Sequence, residues 1–289
     1  ELNAMFAGLS HTKVVFTAGN HDYLKPNSMY RNFKWAGNVV PLLEGRLLKV
    51  EFPEFRTAVS GFSYLDRELQ GGIRVEWKCV RSMENEILLL HGGDEKHLSF
   101  KRAEVDLLGY DYTALGHIHK PDPEITGKCR YSGSPEPTDP NDTGKHGYVI
   151  GTAENGVVET EFVPAAKREY IHLDIPVDED MTGRLLLDTL REKIEENGVE
   201  NMYRFTLKGL RDPDIRFDTV NMDAGGGVVD IRDMTTPAYD YEKLCASNGQ
   251  NLLGRFIQSF LEQEEESRGE VEQMALYEGV QAILETRKE

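Results

Sequence analysis

The chain has 289 residues, of which 39% are hydrophobic and 29% charged, enough to form the packed core of one large or two ordinary domains. Its 50 acidic and 33 basic residues give a formal net charge of −17, which argues against broad electrostatic wrapping of nucleic acid but not against a metal-based site. The three scattered cysteines exclude a disulfide framework and a cysteine zinc site and fit the cytoplasm, and the lack of any run of about 18 apolar residues predicts no membrane span.

The first predicted elements are a helix end followed by short strands. Residues 2–9 have the pattern of the last turns of an amphipathic helix, so we expect the chain to be a piece of a longer protein. Residues 14–18 are β-branched and aromatic and predict a buried strand. The alternating segments of residues 38–65 predict antiparallel strands joined by tight turns.

The next elements predict a parallel pair of strands and then a hairpin. Residues 87–90 form an apolar strand, 100–108 have helical spacing, and 112–115 form a second strand, which together make a βαβ unit. Residues 146–163 predict a hairpin that turns at Glu154-Asn155-Gly156. The fold class predicted for this part is α/β (α+β), as a two-sheet αββα-type sandwich.

The remaining chain changes character twice. Strand, helix and strand patterns between residues 168 and 235 predict a small α/β domain, and helices are predicted at 251–263 and 271–288. We therefore expect three regions, which are a sandwich core at 1–165, a small α/β domain at 166–238 and a helical region at 239–289.

Three polar motifs follow predicted strands, where open α/β sheets bind their ligands. The first is Gly19-Asn20-His21-Asp22. The Asn20 carbonyl suits a hard cation, whereas the neighbouring His21 diverges from it and can act as a proton donor, held in orientation by Asp22. Taken alone, such a tripeptide is more often a simple turn.

The second and third motifs are His91-Gly92-Gly93 and Gly116-His117-Ile118-His119. His117 and His119 share one face if the strand continues through them, but they can address two neighbouring ions if the strand breaks into a loop. The four histidines outside these motifs are expected to have surface or capping roles: His11, His97, His146 and His172.

In this order the three motifs resemble the later motifs of the calcineurin-like metallophosphoesterases. Two further stretches, Tyr131-Ser132-Gly133-Ser134-Pro135-Glu136-Pro137 and His146-Gly147-Tyr148-Val149, resemble the SbcD-like DNA repair exonuclease branch of that family. The resemblance covers residues 10–165 well and the last 120 residues only in domain layout. It implies an αββα sandwich that holds two divalent cations, usually manganese, bridged by an aspartate and a hydroxide.

Carried over by position, the resemblance implies that Asn20, His91 and His117 ligate one ion and that His119 ligates the other. It implies that His21 donates a proton to the leaving group. The family's opening Asp-x-His and Gly-Asp-x-x-Asp motifs have no match here, so the bridging aspartate is missing. We therefore expect a nuclease whose N-terminal part is absent from this chain, and a chain that is itself inactive or nearly so.

Two alternatives stay open, which are another calcineurin-like phosphodiesterase or pyrophosphatase, and a catalytically dead scaffold for an SbcC-type ATPase. By resemblance the small α/β domain would cap the site and contact DNA, and the C-terminal helices would either pack as a core or meet the coiled coil of that ATPase. A homodimer is a further expected assembly. The residues that could form a basic face, or only a solvated mixed surface, are Lys167, Arg168, Arg184, Arg191, Lys193, Arg204 and Lys208.

Overall fold

A five-stranded sheet organises the first half of the chain, in the computed structural model that describes residues 1–122, 128–262 and 269–286. Its strands lie side by side in chain order: β3 (Leu48–Phe52), β4 (Thr57–Gly61), β5 (Asn85–His91), β6 (Tyr112–Gly116) and β7 (Cys129–Tyr131). The pair β3–β4 is antiparallel, whereas β4 to β7 run parallel. The sheet is therefore rich in parallel pairs.

The connection between β5 and β6 contains α3 (Arg102–Asp106), which completes the predicted βαβ unit. Leu88 and Leu90 of β5 are buried, and they belong to one core with Trp77 and Val105. This apolar packing stabilises β5, at whose carboxyl end His91 lies.

Two short strands precede the central sheet, and their pairing differs from the prediction. β1 (Val14–Phe16) pairs in parallel with β2 (Val39–Pro41), with Val14 opposite Val39. Residues 38–65 were expected to be antiparallel throughout, which is wrong for β2. Its partner lies before a long connection containing α2 (Met29–Asn32), and such a crossover permits parallel pairing.

The predicted hairpin is confirmed. β8 (Gly147–Glu154) and β9 (Val157–Pro164) are antiparallel over their whole length. Asn155 and Gly156 join them with φ values of 53° and 73°, the left-handed pair that a two-residue type I′ turn requires.

The chain folds into two units, the first comprising 1–171 with 200–202 and the second 172–199 with 203–289. The predicted boundaries at 165/166 and 238/239 stay predictions. A three-stranded sheet, most of whose residues belong to the second unit, consists of β10 (Tyr170–Val177), β11 (Met202–Arg211) and β12 (Gly227–Pro237), with β11 in the middle. Helix α4 (Gly183–Asn197) begins after Thr182, whose side chain accepts a hydrogen bond from the Leu185 N–H.

The helices at the end of the chain form a small core of their own. They are α5 (Tyr241–Asn248), α6 (Leu252–Leu261) and α7 (Glu270–Glu285), while α1 (Leu2–Ala7) opens the chain. In α6, Leu253 and Ile257 are fully buried against Leu276 and Val280, whereas Leu252 is exposed. The predicted helix ends at 263 and 288 lie outside the described residues.

The predicted mixed α/β class is confirmed, with a parallel-rich central sheet and helices beside it. Within the described ranges, no helix combines the length and the apolar character needed to cross a bilayer.

Candidate metal centre

Strand pairing sets the position of the candidate centre. His91 is the last residue of β5 and lies opposite Gly116, the last residue of β6. The carboxyl ends of parallel strands meet at one edge of the sheet. His91 and His117 therefore project from neighbouring strand ends.

The segment after β1 is fixed to the same edge by hydrogen bonds. The Ala18 N–H donates to Ser63 Oγ at 2.8 Å, and the Tyr64 N–H donates to the Ala18 carbonyl at 3.0 Å. These bonds attach the segment to the chain that leaves β4. As a result, the Asn20 side chain is buried, with 5% exposure.

Asn20 and His91 are in direct contact. Asn20 Oδ1 lies 2.7 Å from His91 Nε2, and the Tyr64 ring packs edge-on to the imidazole. Gly19 makes room for this contact, because a Cβ at Gly19 would lie 2.7 Å from both ring nitrogens of His91. The structure thus brings together two of the residues that the strand-end motifs select.

The loop after β5 adds two residues that the sequence analysis did not assign to the site. It turns back at Gly92 and Gly93, where φ is 146° and 126°. Asp94 Oδ2 then lies 2.7 Å from His117 Nε2, and Asp94 Oδ1 lies 2.9 Å from His97 Nδ1. We call Asn20, His91, Asp94, His97 and His117 the histidine cluster.

His97 and His117 contact each other and the members of the cluster that come earlier in the chain. The rings of His97 and His117 lie 4.5 Å apart, and those of His91 and His117 lie 5.1 Å apart, measured between centroids. The Asn20 amide nitrogen lies 3.3 Å from His97 Nε2. The five side chains therefore form one continuous group.

The electrostatics of the cluster favour metal-ligating protonation states. Burial lowers the pKa of His91 to about 4, with a further lowering by His117. The hydrogen bond with His117 holds the pKa of Asp94 well below its usual range. At neutral pH the cluster thus offers a neutral His91 imidazole and an ionised Asp94 carboxylate, the forms that bind metals.

The polar contacts of His119 are with residues outside the histidine cluster. β6 ends at Gly116 and His117 has φ of 96°, so the strand breaks into a loop. His119 Nδ1 lies 2.9 Å from Thr138 Oγ1 and 3.3 Å from Asp142 Oδ2. His117 and His119 therefore do not share one face of a continuous strand. They lie in a loop and contact different residues.

His21 and Asp22 are both exposed beside the cluster. The Asp22 carboxylate accepts hydrogen bonds from the Gly19 N–H at 2.6 Å and from the Tyr30 hydroxyl at 2.9 Å. Both carboxylate oxygens of Asp22 are therefore engaged by Gly19 and Tyr30. Among the described contacts, the expected pairing of Asp22 with His21 is not found. The charges of His21 and Asp22 nevertheless act on the pKa of His91, so both lie within its electrostatic reach.

Two of the histidines that we expected at the surface lie elsewhere. His97 belongs to the histidine cluster, and its position six residues after His91, in the same loop, was the available signal. His146 is fully buried, with Nδ1 at 2.9 Å from Ser134 Oγ. His11 and His172 are exposed, as expected.

The donor set fits a divalent cation. Asp94, His97 and His117 each offer a ligand atom, and these atoms lie within 4.8 Å of one another. The Asn20 oxygen and the His91 nitrogen adjoin them. Imidazole suits zinc, iron and similar ions, while carboxylate and carbonyl oxygens extend the range to manganese and magnesium.

Comparison with known proteins points in the same direction. No family model matches the sequence. The chain is 26% identical over 221 residues to a Bacillus subtilis protein named "Uncharacterized metallophosphoesterase YhaO". The match covers 68% of this chain and 50% of the relative, so the chain spans about half the length of the curated relative it matches.

Proposed function

We propose that this chain is part of a metal-dependent phosphoesterase that hydrolyses phosphodiester bonds of DNA. The observation that carries the proposal is the meeting of Asn20, His91 and His117 at one edge of the parallel sheet. The name of the Bacillus relative supports the coarser part, metal-dependent phosphoester hydrolysis. The DNA substrate is proposed from the resemblance to the SbcD-like branch.

In this proposal the chain's residues have separate tasks. Asn20 Oδ1 and the imidazoles of His91 and His117 hold one divalent ion, and His119 is the proposed ligand of a second. Bound divalent ions supply Lewis-acid stabilisation of phosphoryl oxygens and a hydroxide nucleophile at neutral pH. His21, exposed beside the cluster, donates a proton to the leaving oxygen. We propose manganese as the metal and the cytoplasm as the location.

The charge distribution restricts how DNA would be held. Four residues of the candidate basic face are paired with acids, since Arg184, Lys193, Arg204 and Lys208 contact Asp188, Glu196, Asp230 and Asp174. Together with the net charge of −17, this pairing reduces the positive charge that the candidate basic face could offer to DNA. Bound cations at the metal centre would therefore carry much of the attraction for a phosphate backbone.

The experiment compares this chain with the full reading frame that contains it. We expect the full-length protein to cleave end-labelled DNA in Mn²⁺ but not in EDTA, and the 289-residue chain to be inactive or nearly so. His21→Ala should lower kcat of the full-length protein about 10²- to 10⁴-fold, with Mn²⁺ binding retained. Manganese-dependent diesterase activity of the 289-residue chain that disappears in His21→Ala would contradict the expected inactivity.

The same assay separates the alternatives. Hydrolysis of bis(p-nitrophenyl) phosphate or of a pyrophosphate substrate without cleavage of DNA would favour another phosphodiesterase or pyrophosphatase. A full-length protein that hydrolyses none of these but co-purifies with a coiled-coil ATPase would favour the scaffold. DNA, an SbcC-type ATPase and a second copy of the chain remain proposed partners.

A further inference from the structure

We infer that Asp94, His97 and His117 bind one divalent transition-metal ion directly, so that the loop after β5 supplies a carboxylate ligand. We call these three residues the Asp94 triad. The inference deepens the proposed function and rests on it, because His117 is a metal ligand in both. It adds two ligands that neither the strand-end motifs nor the family resemblance assigns.

The first support is the spacing of the ligand atoms. Asp94 Oδ2 is 2.7 Å from His117 Nε2, and the Asp94 oxygens are 2.9 and 3.0 Å from His97 Nδ1. Neighbouring ligand atoms around one ion, each about 2.0–2.2 Å from it, lie about 3.0–3.5 Å apart. The two pairs that include Asp94 already have nearly this spacing, and all three ligand atoms lie within 4.8 Å of one another, so small side-chain rotations would admit an ion.

The second support is charge. Asn20, His91 and His117 are neutral ligands, and the bridging aspartate expected from the family resemblance has no match in this sequence. A cation held by neutral ligands alone gains little for its lost hydration. The Asp94 carboxylate contacts His117 directly and supplies the missing negative charge at that place.

The third support is the combination of fixed ligands and open access. The side chains of His97 and His117 are 15% and 12% exposed, whereas Asp94 is 46% exposed. The imidazoles are thus held by packing, while the carboxylate side faces solvent. An ion could enter from that side and keep a position for water or a phosphate oxygen.

The loop that carries Asp94 is itself held in place. The Tyr131 hydroxyl donates to the Gly92 carbonyl at 2.7 Å, and the Leu98 N–H donates to the Leu69 carbonyl at 2.7 Å. Leu98 is buried in the core of the first unit. Ligands on such a fixed loop lose little conformational entropy when an ion binds.

Direct ligation can be separated from a plain hydrogen bond by a cysteine substitution. Asp94→Cys replaces the carboxylate by a thiolate, which gives a near-ultraviolet charge-transfer band with Co²⁺ only if it binds the ion. We expect the band in Asp94→Cys titrated with Co²⁺. Neither the unmodified chain nor the exposed-position control Asp66→Cys should show it. A folded Asp94→Cys protein that binds Co²⁺ without the band would overturn the proposal.

Affinity gives a second and independent measurement. We expect the unmodified chain to bind Mn²⁺ in calorimetric titration, and Asp94→Asn to bind it at least about tenfold more weakly. Asp66→Asn and His11→Gln are controls that should match the unmodified chain. The thermal midpoint of each variant in EDTA tests whether it is folded. Unchanged affinity in Asp94→Asn would overturn the proposal.

Asn20→Ala separates this inference from the proposed function. If the Asp94 triad holds the ion beside Asn20, both Asn20→Ala and Asp94→Asn should weaken Mn²⁺ binding. If Asn20→Ala loses binding and Asp94→Asn does not, the ion lies on Asn20, His91 and His117. In that case the proposed function survives and this inference is wrong.

Discussion

Gly19 shows how strongly one small residue shapes the histidine cluster. It has no side chain at the point where the His91 ring crosses the backbone, and any Cβ there would overlap that ring. The position of His91 therefore depends on a glycine in a different segment of the chain.

We predict that Gly19→Ala displaces the His91 imidazole. Overpacking of this kind costs about 1–3 kcal/mol, and it would also separate His91 from Asn20 Oδ1. Thermal unfolding and Mn²⁺ titration of the variant measure the two effects. Gly37→Ala is a matched control, because a Cβ there would meet no atom within 4 Å. Equal stability and affinity in both variants would contradict the prediction.

Glu86 is a buried carboxylate in the central sheet. It accepts hydrogen bonds from the backbone N–H groups of Ser82 and Met83, and Lys49 Nζ lies 2.9 Å from Oε1. Burial raises the pKa of Glu86, but these hydrogen bonds outweigh it and hold the pKa below its ordinary value. The ionised carboxylate is therefore part of the folded state.

This shift predicts a pH-dependent contribution to stability. A lowered pKa stabilises the fold above the ordinary glutamate pKa of about 4.3, and this contribution disappears as pH falls through the folded-state value. Glu86→Gln should lower the free energy of unfolding by about 2–4 kcal/mol at pH 7, and by less near pH 3. Urea unfolding at several pH values measures this. Exposed Glu51→Gln should show no such trend, and a pH-independent loss in Glu86→Gln would contradict the assignment.

At the scale of elements, the β8–β9 turn is the clearest case of local sequence specifying structure. Asn155 and Gly156 both adopt left-handed backbone, and these two residue types tolerate it best. The turn could be predicted from the sequence for this reason.

We predict that Gly156→Ala destabilises the fold by about 1 kcal/mol, since alanine is strained at positive φ. Asn155→Gly, which keeps the left-handed backbone accessible, should change stability by only a few tenths of a kcal/mol. Chemical denaturation of the two variants gives the comparison. Equal loss in both would indicate that the side chains rather than the backbone stabilise this turn.

Other elements show where prediction from sequence ends. The strands, the βαβ unit and the C-terminal helices carry periodic patterns, which are local. The partner of β2 is set by a crossover from β1, and no short-range pattern encodes it. Asp94 and His97 reach the site because the chain reverses at Gly92 and Gly93, beyond the end of β5. A pattern of polar residues at strand ends does not extend to residues past such a reversal.

Asp22 illustrates a second limit. Its place beside His21 suggested a pairing, but adjacent side chains diverge, and its oxygens bind the Gly19 N–H and the Tyr30 hydroxyl instead. Contacts of this kind depend on how a turn folds. Sequence proximity does not determine them.

At the scale of the whole molecule, the division into two units gives a useful optical probe. The chain has two tryptophans, Trp35 and Trp77, and both belong to the first unit. The histidine cluster belongs to that unit as well. Tryptophan fluorescence thus reports on the part of the chain that would bind metal.

We predict that Mn²⁺ raises the unfolding midpoint observed by tryptophan fluorescence. A ligand at 100 times its Kd stabilises the folded state by about 2.7 kcal/mol. The shift should shrink in Asp94→Asn and be reversed by EDTA. A midpoint that does not respond to Mn²⁺ in the unmodified chain would contradict metal binding by the first unit.

At His117, the residue type that would make the fold most stable differs from the one that the proposed metal site needs. Its left-handed backbone costs about 1–3 kcal/mol for a residue with a Cβ, and glycine would avoid much of that cost. An engineer who selected variants of this chain only for heat resistance would therefore be led to glycine at this position. The resulting protein would keep its sheet and lose an imidazole of the proposed centre, so any such selection needs a metal-binding screen beside it.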